Sequence, residues 1–322
     1  MRVLILGGAG TTGRALIRHL RGEGPVAELT VISRTARELP GVMRVLTGHY
    51  ADLVPSAEFR AELARFHAVV HLGDGLSLLQ ERAHAGDTAQ AERLIAASEG
   101  VALAVREAQV PLFVYVSSIK ALCDEDDSRV LAEASEPRST TLYGRSKLRL
   151  EQAIGIVLEG SATRQVILRN PVMYGESKGG SLRRLMQVAD TPLPLPLGGL
   201  ANKRSLLAVR NFASMLATVV RAVSNRPRGV FHVHDGPPLS TTEIVETMRT
   251  ALGRPARLFS VGAIVANIAR QTPVLSLVAR RLYGSLELSD AHFRRSFDWT
   301  PVTDTRIALA EMVAPLNGVR SR

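Results

Sequence analysis

Within the run Tyr143-Gly144-Arg145-Ser146-Lys147, a phenol and an ammonium stand four residues apart. On a predicted helix that spacing puts both side chains on one face. A free phenol ionises near pH ~10 and is a poor acid or base at neutral pH, but a neighbouring ammonium favours the phenolate and brings it toward working range. Tyr143 can then exchange a proton with an alcohol or carbonyl oxygen. Ser118 closes the run FVYVSS 25 residues earlier and can hydrogen-bond the same oxygen. A Tyr-x-x-x-Lys pair alone carries little information, so what lies upstream decides its meaning.

Upstream, the apolar run VLIL leads directly into Gly7-Gly8-Ala9-Gly10-Thr11-Thr12-Gly13 and then a helical pattern. Glycines here permit a tight turn, close backbone approach to a pyrophosphate and close packing of helix on strand, while the helix N-terminus supplies N–H groups to the anion. Both G-x-G-x-x-G from Gly8 and G-x-x-G-x-x-G from Gly7 fit, which predicts a dinucleotide cradle using Gly7, Gly10, Thr11, Thr12 and Gly13. An NAD-selective site places Asp or Glu about 20 residues further on, where it accepts from the ribose 2′-hydroxyl. This chain has Ser33 and Arg34 there, with Arg37 nearby. A guanidinium fork matches a 2′-phosphate, so NADP(H) is the expected cofactor and NAD(H) the second candidate. In an Arg-rich chain the two arginines also read as solvated surface.

The elements that must position these residues follow from periodicity. Strands are predicted over 3–6, 29–33, 44–48, 68–72, 112–117, 166–169 and 229–232, with helices over 13–21, 89–108, 143–159 and 211–224. The alternation, with near-continuous apolar strands, predicts an α/β fold: a Rossmann-like doubly wound parallel sheet covered on both faces. Past Pro171 the pattern changes, and TPLPLPLG at 191–198 is too proline-rich for a helix or central strand. We therefore expect an NAD(P)-binding domain over 1–171, to which about 205–234 also contributes, and a smaller interleaved C-terminal substrate lobe over 172–204 and 235–322.

Composition narrows the classes. With 322 residues and 46% hydrophobic content the chain is an ordinary globular protein, neither disordered nor a multi-span membrane protein. Forty basic against thirty acidic residues give +10, which suits anionic partners, but aromatics at 4% and the lack of a basic stripe argue against nucleic acid. The only lysines are Lys120, Lys147, Lys178 and Lys203, all inside motif-bearing segments, and Lys147 alone has a chemical reason that Arg cannot satisfy. The lone Cys123 cannot form an internal disulfide and is expected to be buried as a small hydrophobe. His71, His232 and His234 have no carboxylate or cysteine at ligand spacing, so no metal is expected and hydrogen-bonded strand-end histidines are. The short run at 3–6 lacks a signal-peptide h-region, which makes a cytoplasmic location the expectation. The apolar stretch 259–282 is broken by Arg270, Gln271 and Pro273, a poor membrane span that reads as a lobe helix, with an amphipathic membrane-surface segment as the alternative.

Taken together, GGAGTTG, VHLGDG, YVSSIKA, YGRSK, RNPVMYG, PLPLG followed by NKRS, and FDWTP resemble the extended short-chain dehydrogenase/reductases, the NAD-dependent epimerase/dehydratase family, across nearly the whole chain. The resemblance implies catalytic roles for Ser118, Tyr143 and Lys147, with Tyr143 and Lys147 also touching the cofactor and Lys147 holding the nicotinamide ribose. It further implies cofactor contacts from Asp52, Leu53, Leu72 and Gly73, and substrate contacts from Ser118, Asn170 and Arg204, the last toward a nucleotide diphosphate. A homodimer through the helices at 89–108 and 143–159 is implied on the same ground. Three positions depart from the family pattern: Ala97 stands where the family has Asn, HLGDG carries Asp74 where HLAG-type sequence is usual, and Gly180 replaces a side chain after the lysine of a KGN-like segment.

The subgroup that the motifs most resemble comprises UDP-N-acetylhexosamine 4-keto reductases and 4-epimerases of bacterial surface-polysaccharide synthesis. Arg34 in place of an acid favours a reductase that takes up NADPH and reduces C4 of a UDP-4-keto-6-deoxy-N-acetylhexosamine. An NAD-dependent UDP-sugar 4-epimerase is the alternative, followed by an alcohol- or steroid-type dehydrogenase and a non-catalytic NADP-binding module.

Overall fold

The computed structural model describes residues 1–22, 28–35, 38–77, 87–175, 180–222, 227–260 and 276–320. Its strands are β1 (Arg2–Leu6), β2 (Glu28–Ser33), β3 (Arg44–Thr47), β4 (Ala68–His71), β5 (Leu112–Ser118), β6 (Val130–Leu131), β7 (Arg164–Asn170), β8 (Val172–Tyr174), β9 (Leu206–Ala208), β10 (Gly229–His232) and β11 (Glu287–Leu288). The helices are α1 (Thr11–Gly22), α2 (Tyr50–Leu53), α3 (Ala57–Leu63), α4 (Asp87–Glu107), α5 (Leu142–Leu158), α6 (Ser181–Ala189), α7 (Val209–Arg221), α8 (Thr241–Ala251), α9 (Ser276–Tyr283), α10 (Ala291–Phe297) and α11 (Thr305–Arg320).

Seven strands form one sheet in the order β10-β7-β5-β4-β1-β2-β3, every pair parallel. Side chains of a strand alternate between faces, and this sheet needs an apolar cover on both. Val3 and Ile5 point into a core with Leu16, Ile17 and Leu20 of α1 and Phe212, Met215 and Leu216 of α7. Leu4 and Leu6 point the other way, into a core with Leu94, Ile95 and Val105 of α4 and Leu150 and Ile154 of α5. The same split divides Leu112 and Val114 from Phe113 and Tyr115 on β5. Each predicted sheet strand and each predicted helix is found, with ends within three residues of expectation.

Parallel strands end on a common edge. The registers Leu6↔Ile32, Leu6↔His71, His71↔Tyr115 and Ser118↔Asn170 carry the chain out of β1, β2, β4, β5 and β7 side by side. α1 covers one face and α4 the other, so strand order reverses direction at β1 and β4, where such folds open a crevice.

Two short parallel pairs, β8 with β9 and β6 with β11, are built from strands of two or three residues that periodicity does not reveal. A third core joins Tyr174 to Leu182 and Met186 of α6, Ile244, Val245 and Met248 of α8, and Leu309 and Val313 of α11. The proline-rich run at 191–198 lies against 257–259, with bonds from Leu195 N–H to Arg257 O and from Phe259 N–H to Leu195 O, each 3.0 Å. Residues 261–275, the centre of the apolar stretch 259–282, lie outside the described residues. No helix among the described residues is long and apolar enough to cross a membrane.

Arg249 of α8 is 1% exposed and ties this region together. Its guanidinium donates to the carbonyls of Ala189, Leu193 and Ala256, at 3.2, 2.6 and 2.5 Å. Truncation leaves several buried acceptors unpaired, each a loss of about 1–3 kcal/mol. Arg249→Met is therefore expected to destabilise the chain by at least ~3 kcal/mol in urea unfolding; an unchanged midpoint would mean that those carbonyls find other donors.

Candidate active site

The turn after β1 is held by contacts that only glycine allows. Gly7 has φ +81°, and a Cβ there would lie 3.0 Å from the Gly73 nitrogen and 3.1 Å from its Cα, across the gap between β1 and β4. A Cβ on Gly13 would come within 2.4 Å of the Gly8 backbone. The first intrahelical bond of α1 runs from Arg14 N–H to Gly10 O at 2.9 Å, so the amides of Thr11, Thr12 and Gly13 have no intrahelical acceptor. No acidic residue occupies that first turn. Gly10 is exposed and Thr11 and Thr12 are half-buried, so a diphosphate fits this cradle by donor chemistry and by space.

Beside it, Ser33 Oγ donates to Thr35 O at 3.0 Å and Arg34 is exposed just past the end of β2. Arg37 lies outside the described residues. The chain leaving β3 returns to the same edge through a bond from Gly48 N–H to Ser33 O at 2.9 Å, and His49 caps α2. That brings up Asp52, exposed, and Leu53, half-buried against Gly48. Leu72 donates its N–H to Leu6 O at 3.0 Å, so Leu72 and Gly73 border the cradle as expected from sequence.

Thr141 caps α5 by accepting from Gly144 N–H, and Asp124 holds the approach through Ser139 Oγ, Thr140 N–H and Thr141 Oγ1. Ser118 ends β5 and caps the turn 119–121. Gly144 lets these two pieces touch: a Cβ on it would sit 1.9 Å from Ser139 Oγ and 2.3 Å from Lys120 O. Nothing adjacent to Gly144 in the chain announces this role, because Ser139 and Lys120 meet it only in the fold. In this way Tyr143 is buried facing Ser118, with the Lys147 ammonium 5.8 Å from its ring.

Lys147 has further partners beside Tyr143. Its Nζ donates to Asp74 Oδ2 at 2.5 Å, Tyr115 Oη at 3.1 Å and Val116 O at 3.1 Å, which accounts for all three ammonium hydrogens. Asp74 also accepts from Tyr115 Oη at 2.6 Å and from Leu76 N–H at 3.0 Å. Burial works to raise the Asp74 carboxyl, but Lys147 and these donors outweigh it and hold it below the usual carboxylate range. Burial pushes the Tyr143 phenol up; Lys147 pulls down and Asp74 opposes Lys147, leaving the phenol above its ordinary value. Lys147 thus lowers the Tyr143 phenol as expected, but burial outweighs it.

A polar network backs this pair. Tyr50 Oη donates to Asp74 O at 3.3 Å and lies 3.2 Å from Ser98 Oγ, which in turn is 3.0 Å from His71 Nε2. Ser98, beside Ala97, is the α4 side chain that reaches this network. Burial drives His71 down to about 4, so the ring is neutral, and its Nδ1 has no partner. His232 Nε2 is likewise unpartnered, while its Nδ1 lies 3.1 Å from Leu131 O and His234 Nδ1 lies 2.9 Å from Gly236 O, so the three histidines are each hydrogen-bonded at one ring nitrogen, as expected. Cys123 is buried as expected, its thiol pushed up by burial. One turn past Lys147, Glu151 accepts from Ser117 Oγ at 2.5 Å and from Arg169 Nη2 at 2.6 Å.

Across from Ser118, Asn170 turns its amide nitrogen to Pro171 O at 3.2 Å and leaves a buried Oδ1 without a partner. Arg204 is 7% exposed, and its Nη1 donates to Glu125 O at 2.9 Å and Gly284 O at 3.3 Å, so part of this guanidinium is spent inside the protein. The Glu125 carboxylate accepts from Lys120 at 2.5 Å and from Arg281 at 2.8 Å. Arg281 was not legible as a site residue, because its partners lie 156 residues away in sequence. Lys203 is exposed near Glu287 at 3.4 Å, and Lys178 lies outside the described residues.

Residues 3–233 match the model of the NAD dependent epimerase/dehydratase family. A UDP-glucose 4-epimerase of Vibrio cholerae is 24% identical over 315 residues, covering 93% of this chain and 90% of that protein. Among solved structures, the UDP-N-acetylglucosamine 4-epimerase of Bacillus cereus superposes with TM-score 0.74 at 19% identity, covering 98% and 99% of the two chains. The human epimerase family protein SDR39U1 (isoform2), solved with NADPH, superposes with TM-score 0.69 at 20% identity, covering 98% and 99%. These structures share the fold of this chain.

The position of Tyr143 depends on the bare Gly144. Gly144→Ala is expected to overpack the junction between α5 and the turn after β5 and to cost about 1–3 kcal/mol in urea unfolding. A midpoint equal to that of the unaltered chain would show that the junction has room for a methyl group.

Proposed function

The chain belongs to the NAD dependent epimerase/dehydratase family, and from that premise we propose that it is an NADP(H)-dependent reductase acting on C4 of a UDP-4-keto-6-deoxy-N-acetylhexosamine in surface-polysaccharide synthesis. Members of this family are NAD(P)-dependent enzymes of the extended short-chain dehydrogenase/reductase type. What carries the reductase reading is the exposed Arg34 at the end of β2, beside a cradle that has no acidic residue in its first helical turn. A carboxylate at that place would repel a 2′-phosphate, whereas a guanidinium pairs with it.

Gly7 to Gly13, Ser33, Arg34, Asp52, Leu53, Leu72 and Gly73 would hold a reduced nicotinamide cofactor, which when bound would supply a hydride. Tyr143 then donates its proton to the oxygen that gains negative charge, and Ser118 hydrogen-bonds that oxygen as charge develops. Lys147 is the cation behind the phenol and the one nearest a nicotinamide ribose. Asn170 Oδ1, buried and unpartnered, is an acceptor for a sugar hydroxyl. Lys120 and Arg281 both bond the carboxylate of Glu125, and Arg204 beside them donates to the Glu125 carbonyl with Asp126 as the next carboxylate, three cations to two carboxylates, a surplus that suits a nucleotide diphosphate.

The domain division at 171, with 205–234 returned to the cofactor domain, is part of this proposal; the separate core of α6, α8 and α11 supports it. So is a homodimer through α4 and α5, whose Leu103 and Ile156 are exposed at 42% and 71%. The second reading, a UDP-sugar 4-epimerase, is favoured by the names of the relatives. The two differ in how the cofactor is held, since an epimerase must retain oxidised NAD through its cycle.

Tyr143→Phe is expected to lower NADPH-dependent reduction of the keto sugar by ~100-fold or more, the scale of a lost proton donor; turnover within a few-fold of the unaltered enzyme would remove Tyr143 from the chemistry. Purified protein is expected to carry exchangeable NADP(H), measured by release on gel filtration and enzymatic assay of the supernatant. Stoichiometric NAD that stays with the protein would overturn the reductase reading in favour of the epimerase.

A further inference from the structure

The turn that follows Ser118 and the helix α9 are distant in the chain, yet one side chain joins them. Glu125 Oε1 accepts from Lys120 Nζ at 2.5 Å and from Arg281 Nη2 at 2.8 Å. The main chain of the same residue serves a third cation, since Glu125 O accepts from Arg204 Nη1 at 2.9 Å. Ile119, Leu122 and Cys123 of this segment pack on Leu131, Leu286 and Leu288 as a small separate core. The Glu125 carboxylate is nearly sealed, at 10% exposure, while the side chains of Lys120 and Arg281 keep 19% and 36%. Burial works to raise the Glu125 carboxyl, but Arg281 and Lys120 outweigh it and hold it below the usual carboxylate range, so the group is charged at neutral pH.

Main chain and side chain of Glu125 are held differently. Arg204 fixes the carbonyl, Ser285 N–H donates to Asp126 Oδ1 at 2.8 Å and Asp127 N–H to Ser285 O at 2.7 Å, so the backbone at 125–127 is tied to 284–285. The carboxylate is held by the two cations, both on Oε1, and Oε2 has no bond among the described residues. It can turn away about its own side-chain torsions and leave the backbone in place. Lys120 spends one ammonium hydrogen on it and Arg281 one guanidinium hydrogen, and Arg204 donates through Nη1 alone among the described residues. Donors therefore remain on all three cations for an anion that reaches them.

We propose that Glu125 is a specificity-determining residue: an anion already seated on Lys120 and Arg281, which a nucleotide diphosphate must displace to bind. This inference rests on the reading above of the site as one for a nucleotide sugar. One carboxylate oxygen meets two of the cations, whereas the several oxygens of a diphosphate can meet Lys120, Arg281 and the open edge of Arg204 together, with charge-assisted bonds to each. A small anion with a single charge offers no more than Glu125 does and does not displace it. Selection here comes from competition rather than from an added contact. The wanted ligand bears the same cost, because affinity falls by the fraction of chains whose seat is open.

The test is titration calorimetry of the full-length chain with UDP as the probe. Glu125→Gln keeps the length of the side chain and removes its charge, and is expected to bind UDP about ten-fold more tightly than the unaltered chain, the gain when a seat filled roughly nine-tenths of the time is left open. Glu287→Gln is the control: it removes a like charge 3.4 Å from Lys203, next to Arg204, and has no bond to Lys120 or Arg281 among the described residues. Its effect is expected to stay within about two-fold, as for a screened charge. Should Glu125→Gln not fold, Glu125→Asp, a methylene shorter and unable to hold both cations, is expected to tighten UDP binding in the same direction. Equal or weaker binding by the Glu125 variant, or a gain matched by Glu287→Gln, overturns the proposal. If neither the unaltered chain nor Glu125→Gln binds UDP, the nucleotide-sugar reading falls and this inference with it, whereas tightly held NAD sinks the reductase reading alone.

Discussion

Backbone meets backbone where β1 and β4 part, and the site is built around that contact. The two strands lie side by side in register, yet α1 crosses to one face of the sheet and α4 to the other, and at the point of parting Gly7 and Gly73 pack backbone to backbone. A side chain at Gly7 would wedge this contact apart, and one at Gly13 would push α1 off the turn that feeds it. The same closeness sets Asp74, one residue past Gly73, deep enough to reach Lys147 on α5. Cofactor cradle and catalytic ammonium are therefore not independent features: both hang on how tightly two glycines let the chain approach itself.

α5 shows what burying polar chemistry on a helix requires. Tyr143, Lys147 and Glu151 repeat every four residues and form one buried polar stripe against the end of β5. Each needs partners that a helix cannot supply, and the sheet provides them: Tyr115 and Val116 O for Lys147, Ser117 for Glu151, Arg169 from the next strand for Glu151 again. An unpaired charge at any of these points would carry a penalty of several kcal/mol. The stripe is consequently fixed in rotation, and that rotation aims the Tyr143 ring at Ser118.

Local signals in the chain are legible where the cause is local. The period-2 strands, the glycine turn and the i, i+4 pairing of Tyr143 with Lys147 each follow from a few adjacent residues, and each is found where expected. What stays hidden depends on partners distant in sequence. Asp74 stands 73 residues from Lys147, so nothing near YGRSK announces that its ammonium is already engaged. Arg204 reads as a ligand-binding arginine until Glu125 and Gly284, 79 and 80 residues away, are seen to take its Nη1. β8 pairs with β9, and β6 with β11, over two or three residues each, too few for any periodicity.

The lopsided charge of the chain resolves along the same line. Of its forty basic residues, the buried ones are each met by a specific acceptor: Lys147 by Asp74, Arg169 by Glu151, Arg249 by main-chain carbonyls. Surplus positive charge that could serve a ligand is confined to places where cations outnumber carboxylates at an open edge. Among the described residues two such places stand out, Arg34 past β2 and Lys120 with Arg281, which share the carboxylate of Glu125. A net charge of +10 says only that anions are welcome; the distribution of carboxylates decides where, and at Lys147 the carboxylate is placed so that the positive charge is not available to a ligand without competition.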